Sequence, residues 1–175
     1  MQDTPLFSRP ALDKQFLPGI SLALYQPDIP QNTGTMVRMA ACLGMNVHII
    51  EPAGFPVSDR DFRRAGMDYL DQVLITRHVS WDAFTDYAAS TNRRLVLLST
   101  KAKYLHIEFA FQQGDILIVG RESAGVPFAV HEYIEAKVKI PMAKDMRSLN
   151  VAISAALVCG EALRQVDGWP QKTDL

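Results

Sequence analysis

With 175 residues, 48% of them hydrophobic and 21% charged, the chain has the size and ordinary composition of one globular domain with a sizeable core. A net charge of −1 is unlike that of a dedicated polyanion binder, so any nucleic-acid contact must come from a local basic patch. Cys42 and Cys159 lack CxxC spacing and read as buried helical thiols in a reducing compartment, and the scattered histidines offer no metal site.

Residues 1–19 carry prolines at 5, 10 and 18 without periodicity and read as a poorly ordered N-terminal extension, ahead of a single domain over 20–175. The extension lacks the basic-then-apolar pattern of an export signal. The longest apolar stretch, within 149–160, is shorter than the roughly 18 apolar residues of a membrane span. Both features lead us to expect a cytoplasmic protein with no membrane contact.

In chain order, Ile20–Tyr25 predicts a first strand. Asn32-Thr33-Gly34 then opens a helix over 35–43, with Asn32 as N-cap and Gly44 as the closing glycine. Val47–Ile50 predicts the second strand. Ser58-Asp59-Arg60-Asp61 resembles an imperfect capping box for a short helix through Arg64. Val73–Ile75 predicts a third strand, and Ser80 caps a helix to about Ala89. Arg94–Leu98, Asp115–Val119 and Lys137–Ile140 predict three more strands, and one long helix from Ser148 to Val166 closes the chain. Apolar strands alternating with helices imply an α/β fold with a parallel sheet covered on both faces.

Three segments can carry chemistry. The first is Asn32-Thr33-Gly34 with Arg38 six residues on; read alone, it is equally well a capped helix with a surface arginine. The second is Gly120-Arg121-Glu122-Ser123-Ala124-Gly125, directly after a strand, where parallel sheets bind ligands. It is neither a Rossmann fingerprint nor a Walker A loop, and alone it could be a tight strand-to-helix turn before Pro127. The third is Ile140-Pro141-Met142 followed by Arg147-Ser148-Leu149-Asn150. Ser148 is a good N-cap there, and Asn150 would fall among the unpaired N–H groups of the first turn. The last helix is apolar nearly all round, as for a helix buried against a second subunit. His48 reads as a core histidine. Arg60, Arg63, Arg64, Arg93 and Arg94 and the loop Lys101–Lys103 read first as solvated basic surface.

In order and spacing, these segments resemble the three motifs of the SPOUT RNA methyltransferases, over residues 20–165. Within that superfamily the chain is most similar to the tRNA (cytidine/uridine-34)-2′-O-methyltransferases. The resemblance rests on Leu24-Tyr25-Gln26-Pro27-Asp28-Ile29-Pro30-Gln31-Asn32-Thr33-Gly34, on Leu43-Gly44 through His48-Ile49-Ile50-Glu51-Pro52, on Arg63-Arg64-Ala65-Gly66-Met67-Asp68-Tyr69, and on the Ile140 to Asn150 segment.

The resemblance implies a parallel-sheet SPOUT fold with a C-terminal trefoil knot, a homodimer, and S-adenosylmethionine as methyl donor. It implies donor contacts from Leu98, Gly120, Ile140, Ser148 and Leu149. The implied polar active-site set is Asn32, Arg38, Glu122, Ser148 and Asn150. Arg63 and Arg64 join Arg38 as expected contacts to a tRNA anticodon loop. The implied reaction is 2′-O-methylation of position 34, a cytidine or modified uridine, with leucine isoacceptors as expected substrates and no metal. Methylation of another tRNA position or of rRNA, and a non-catalytic RNA-binding module of the same fold, are the alternatives. A nucleotide- or flavin-binding α/β protein is disfavoured by the missing fingerprints.

Overall fold

The computed structural model of the chain describes residues 19–57 and 73–170. The expected helix at Ser58–Arg64, with Arg60, Arg63 and Arg64, lies outside the described residues, as do 1–18 of the N-terminal extension. In chain order the elements are β1 (Ser21–Tyr25), α1 (Pro30–Leu43), β2 (Asn46–Ile50), β3 (Ile75–His78), α2 (Trp81–Ser90), β4 (Leu95–Leu98), β5 (Tyr104–Leu105), β6 (Ile116–Val119), α3 (Phe128–Tyr133), β7 (Ala136–Lys139) and α4 (Val151–Gln165).

The strands form one sheet in the order β3-β2-β1-β6-β4-β7-β5, and every pairing is parallel. Side chains alternate across it as period-2 geometry demands. Leu22, Leu24, Val47, Ile49, Leu117 and Val119 face one core with Met36, Val37 and Ala40 of α1 and Ala155, Val158 and Ala162 of α4. Ala23, Tyr25, Ile50, Ile116 and Ile118 face the other with Phe84 and Ala88 of α2 and Val130 and Ile134 of α3. The expected parallel sheet covered on both faces is therefore present. β6 lies between β1 and β4, so the chain changes direction across the sheet at the β1/β6 junction, and ligands bind beyond the strand ends at such switch points.

Local signals placed several ends well. Gly44 closes α1 at φ 66°, its N–H donating back to Ala40 and Ala41. Ser80 caps α2 by accepting from Ala83 N at 3.1 Å. Two caps differ from expectation. The N-cap of α1 is Ile29, with Pro30 in the first helical turn, so Asn32 lies inside the helix and its side chain is released for tertiary contacts. The N-cap of α4 is Asn150 rather than Ser148; its Oδ1 accepts from Ala152 N at 2.8 Å and Ile153 N at 3.3 Å. The third strand runs over 75–78 rather than 73–75, and the two-residue β5, beside β7, was not expected.

Two other readings, of Arg93 and Cys42, are corrected by burial. Arg93 is no surface cation: it is buried, donating to Gly114 O at 2.8 Å, Gly19 O at 2.7 Å and Ser21 Oγ at 2.9 Å. Cys42 is exposed, while Cys159 is buried in α4, where desolvation pushes its thiol up to about 12. α4 buries Ala152, Ala155, Val158, Cys159, Ala162 and Leu163, yet within one chain its other face leaves Ile153 and Leu157 54% and 46% exposed. Among the described residues no helix is long and apolar enough to cross a membrane, and no group of three or more His, Cys, Asp or Glu is placed to hold a metal.

His48 is a core residue, as expected, but it has a histidine partner. Its Nδ1 lies 3.1 Å from His78 Nε2, between β2 and β3, and both rings pack against Phe84 and Tyr87. Burial, then the charges of His78 and Arg93, lower His48 from 6.5 to about 3, and burial lowers His78. Below pH 6.5 the unfolded chain therefore binds more protons than the folded one. The contribution of His48 is fully present above that pH and falls as pH drops toward 3, by up to about 1.4 kcal/mol per pH unit, and His78 acts in the same direction. Urea midpoints should fall between pH 7.5 and 5.5; equal midpoints would show that the pair is not buried neutral.

Candidate active site

All the strands point the same way, so their C-terminal ends and following loops gather on one edge. There a cavity of about 540 Å³ is lined by four stretches, Ile29 and Asn32 after β1, Leu98–Lys101 after β4, Val119–Glu122 with Ala124–Val126 after β6, and Lys139, Ile140, Met142 and Ser148–Val151 between β7 and α4, together with His131 of α3 and Ser154 of α4. That volume lies in the usual range for small-molecule sites, about 300–1,000 Å³.

The loop after β6 is pinched shut. Arg121 N donates to Gly125 O at 3.0 Å and Gly125 N to Arg121 O at 2.8 Å. A Cβ on Gly120 would lie 2.6 Å from the carbonyl carbon of Gly125 and 2.7 Å from its Cα, so only glycine fits there. Gly125 itself turns the chain at φ 63°. Two polar atoms of this loop, Arg121 Nε and Glu122 Oε1, are buried without a hydrogen-bond partner within the chain. Buried polar atoms without a partner are costly, which fits a loop shaped for a polar ligand.

A polar chain joins the loops. Asn150 Nδ2 donates to Asn32 Oδ1 at 3.0 Å, tying the first turn of α1 to the cap of α4. Asn32 and the half-buried Glu122 line the same cavity. Glu122 is held by Asp28: Asp28 N donates to Glu122 Oε2 at 3.1 Å, Glu122 N donates to Asp28 Oδ1 at 3.1 Å, and Ser123 Oγ donates to Asp28 Oδ2. Burial and then the Asp28 carboxyl push Glu122 upward, while hydrogen bonds from Glu122 and then Ser123 hold Asp28 down at about 2. Of the two carboxyls, Asp28 is therefore the stronger acid.

Asn32, Glu122, Ser148 and Asn150 all line the cavity, as do Leu98, Gly120, Ile140 and Leu149. Arg38 does not. It is exposed on α1, about 9 Å further along the axis than Asn32 and about 120° around it. Sequence reasoning missed Asp28, whose partners are 94 and 95 residues away. It also missed Ser99 and His131, which line the same cavity with Ser99 Oγ 3.3 Å from His131 Nε2.

Residues 19–160 match the model of a family described as the SpoU rRNA Methylase family. The chain belongs to the SpoU methylases. A tRNA (cytidine(34)-2'-O)-methyltransferase of Beijerinckia indica subsp. indica is 67% identical over 153 residues, covering 87% of this chain and 96% of that protein. A solved structure giving insights into the 2-OH methylation of C/U34 on tRNA superposes with a TM-score of 0.79 at 39% identity, covering 85% of this chain and 97% of that one. The SpoU methyltransferase AviRb from Streptomyces viridochromogenes, solved in complex with AdoMet, superposes with a TM-score of 0.77 at 27% identity, covering 89% and 65%. The similarity to SPOUT RNA methyltransferases read from three motifs is thus borne out over most of the chain, and the SpoU cavity is built from those motifs.

Proposed function

We infer that this SpoU methylase is a tRNA (cytidine(34)-2′-O)-methyltransferase, transferring methyl from S-adenosylmethionine to the ribose 2′-OH of the wobble nucleotide. The observation that carries the reading is the Asn150–Asn32 hydrogen bond, which brings the first and third motifs together at a cavity walled by the second. The family description names rRNA, but the 67% identical relative is named for cytidine 34 of tRNA, and this favours the wobble site.

The donor fits the cavity on chemical grounds. Gly120 leaves backbone open where any side chain would collide, and Glu122 Oε1 and Arg121 Nε are buried without partners. Leu98, Gly120, Ile140, Ser148 and Leu149 would hold it. S-adenosylmethionine supplies an activated sulfonium methyl, so the protein's task is mainly positioning. Asn32 and Asn150 fix the polar wall against which the ribose is set. The 2′-oxygen gains the methyl as the donor's carbon–sulfur bond breaks to leave a neutral thioether, and its proton passes to a phosphate oxygen or water. An arginine keeps its proton, so Arg38 is assigned to the developing oxyanion and a neighbouring phosphate rather than to proton removal. Arg63 and Arg64 are assigned to phosphates of the anticodon loop.

We also read 20–175 as one catalytic domain with a knotted C-terminal segment, and 1–19 as an extension without a part in transfer. The protein acts on tRNA in the cytoplasm as a homodimer, a state supported by the uncovered Ile153 and Leu157 on α4 beside the exposed Leu149. Labelled methyl transfer to unfractionated bacterial tRNA, followed by nuclease mapping, tests the function. A single 2′-O-methylated nucleotide at position 34 is expected, in leucine isoacceptors. Label at another tRNA position or only in rRNA would overturn the wobble assignment, and donor binding without transfer to any RNA would leave a binding module.

A further inference from the structure

We propose that Asp28 is a positioning residue for the methyl transfer, acting through Glu122 and Asn32 rather than on donor or substrate. The proposal rests on the reading of this cavity as a methyltransferase site. Asp28 does not line the cavity, yet it makes three hydrogen bonds with Glu122 and Ser123, whose loop does. Its backbone N–H fixes Glu122 Oε2, and its carboxylate takes the Glu122 N–H and the Ser123 hydroxyl. The Glu122 side chain so fixed meets Asn32, and Asn32 Oδ1 is already committed to Asn150. Asp28 thus fixes Glu122 in the cavity that also holds the Asn32–Asn150 pair, and that pair reaches the first backbone N–H groups of α4.

Asp28 is itself held from the far side. Gly54 N donates to Pro27 O at 2.8 Å, and a Cβ on Gly54 would come within 2.9 Å of Asp28 Cβ and 3.0 Å of its Cα. A side chain at 54 would therefore displace Asp28. The wall at Gly120–Gly125 has a closure of its own besides this clamp, since Arg121 and Gly125 pair through two hydrogen bonds. Loss of the Asp28 charge should accordingly disturb the Asn32–Asn150 end of the cavity and leave the glycine wall standing.

The test uses the full chain as wild type, Asp28→Asn, Glu122→Gln, the double variant and Gly54→Ala. Each is assayed for methyl transfer to tRNA at saturating donor and for S-adenosylmethionine binding by calorimetry. An asparagine at 28 removes the charge and turns one acceptor into a donor, which weakens the clamp without a change of shape. Asp28→Asn should lower kcat about tenfold or more and change donor Kd less than about threefold. The double variant should be no slower than the slower single variant, since both act on one series of contacts. Gly54→Ala should reproduce the kcat-selective loss. Wild-type kcat in Asp28→Asn, losses that multiply in the double variant, or kcat and donor binding falling together would overturn the proposal while wild-type activity stands. A wild-type chain inactive on tRNA would instead overturn the functional reading, and this proposal with it.

Discussion

Arg38→Ala should lower methyl transfer by roughly 100- to 1,000-fold while donor affinity stays within about threefold of wild type. The magnitude is that of removing one preorganised donor aimed at developing negative charge. The split between turnover and binding follows from position: Arg38 is exposed on α1 and outside the cavity lining, so it has no part in holding the donor. Arg38→Lys should recover little of the loss, because an ammonium is a single point charge and cannot span a ribose oxygen and a phosphate as a planar guanidinium does. Single-turnover transfer to tRNA with excess enzyme, beside calorimetric donor binding, separates the two quantities. Turnover close to wild type would remove Arg38 from the chemistry. A parallel loss of donor binding would place it in the donor site and leave the oxyanion without an assigned partner.

Much of the fold was legible because it is written in local pattern. The apolar runs at 22–24, 47–50, 95–98 and 116–119 are strands buried on both faces, and Gly44 and Ser80 stop and start helices where their backbone and side-chain chemistry predicts. Where two local signals competed, tertiary contacts decided. Asn32 has the chemistry of a cap, but Pro30 two residues earlier is preorganised for the first helical turn, and Asn150 claims the Asn32 carbonyl. Ser148 and Asn150 are both capping residues; the one that also reaches Asn32 is the cap. The two-residue β5 had no periodicity to read and exists only because β7 offers an edge. The insertion of β6 between β1 and β4 is a long-range choice that no window of sequence contains. The site followed the same division. Glycines, asparagines and Glu122 were visible as motifs, whereas Asp28 looked like any loop aspartate until its partners 94 and 95 residues away were placed beside it.

Gly120→Ala should weaken donor binding by at least about 30-fold, roughly 2 kcal/mol, and take methyl transfer down with it. The new methyl would meet the carbonyl carbon and Cα of Gly125 at 2.6 and 2.7 Å and Val126 N at 3.0 Å, all of them backbone atoms with no rotamer to give way. The loop must open, breaking the paired bonds between Arg121 and Gly125, and Glu122 moves with it. Such overpacking also costs stability, by about 1–3 kcal/mol. Loss of binding must therefore be measured well below the unfolding temperature. Gly125→Ala separates the two causes. Open space surrounds a Cβ there, and the penalty is the left-handed backbone at φ 63°, about 1–2 kcal/mol of stability. Its donor affinity should stay within about fivefold of wild type. If Gly125→Ala matched Gly120→Ala in lost binding, loop conformation rather than close approach would govern the donor site. If Gly120→Ala bound normally, the glycine wall would have no part in holding the donor.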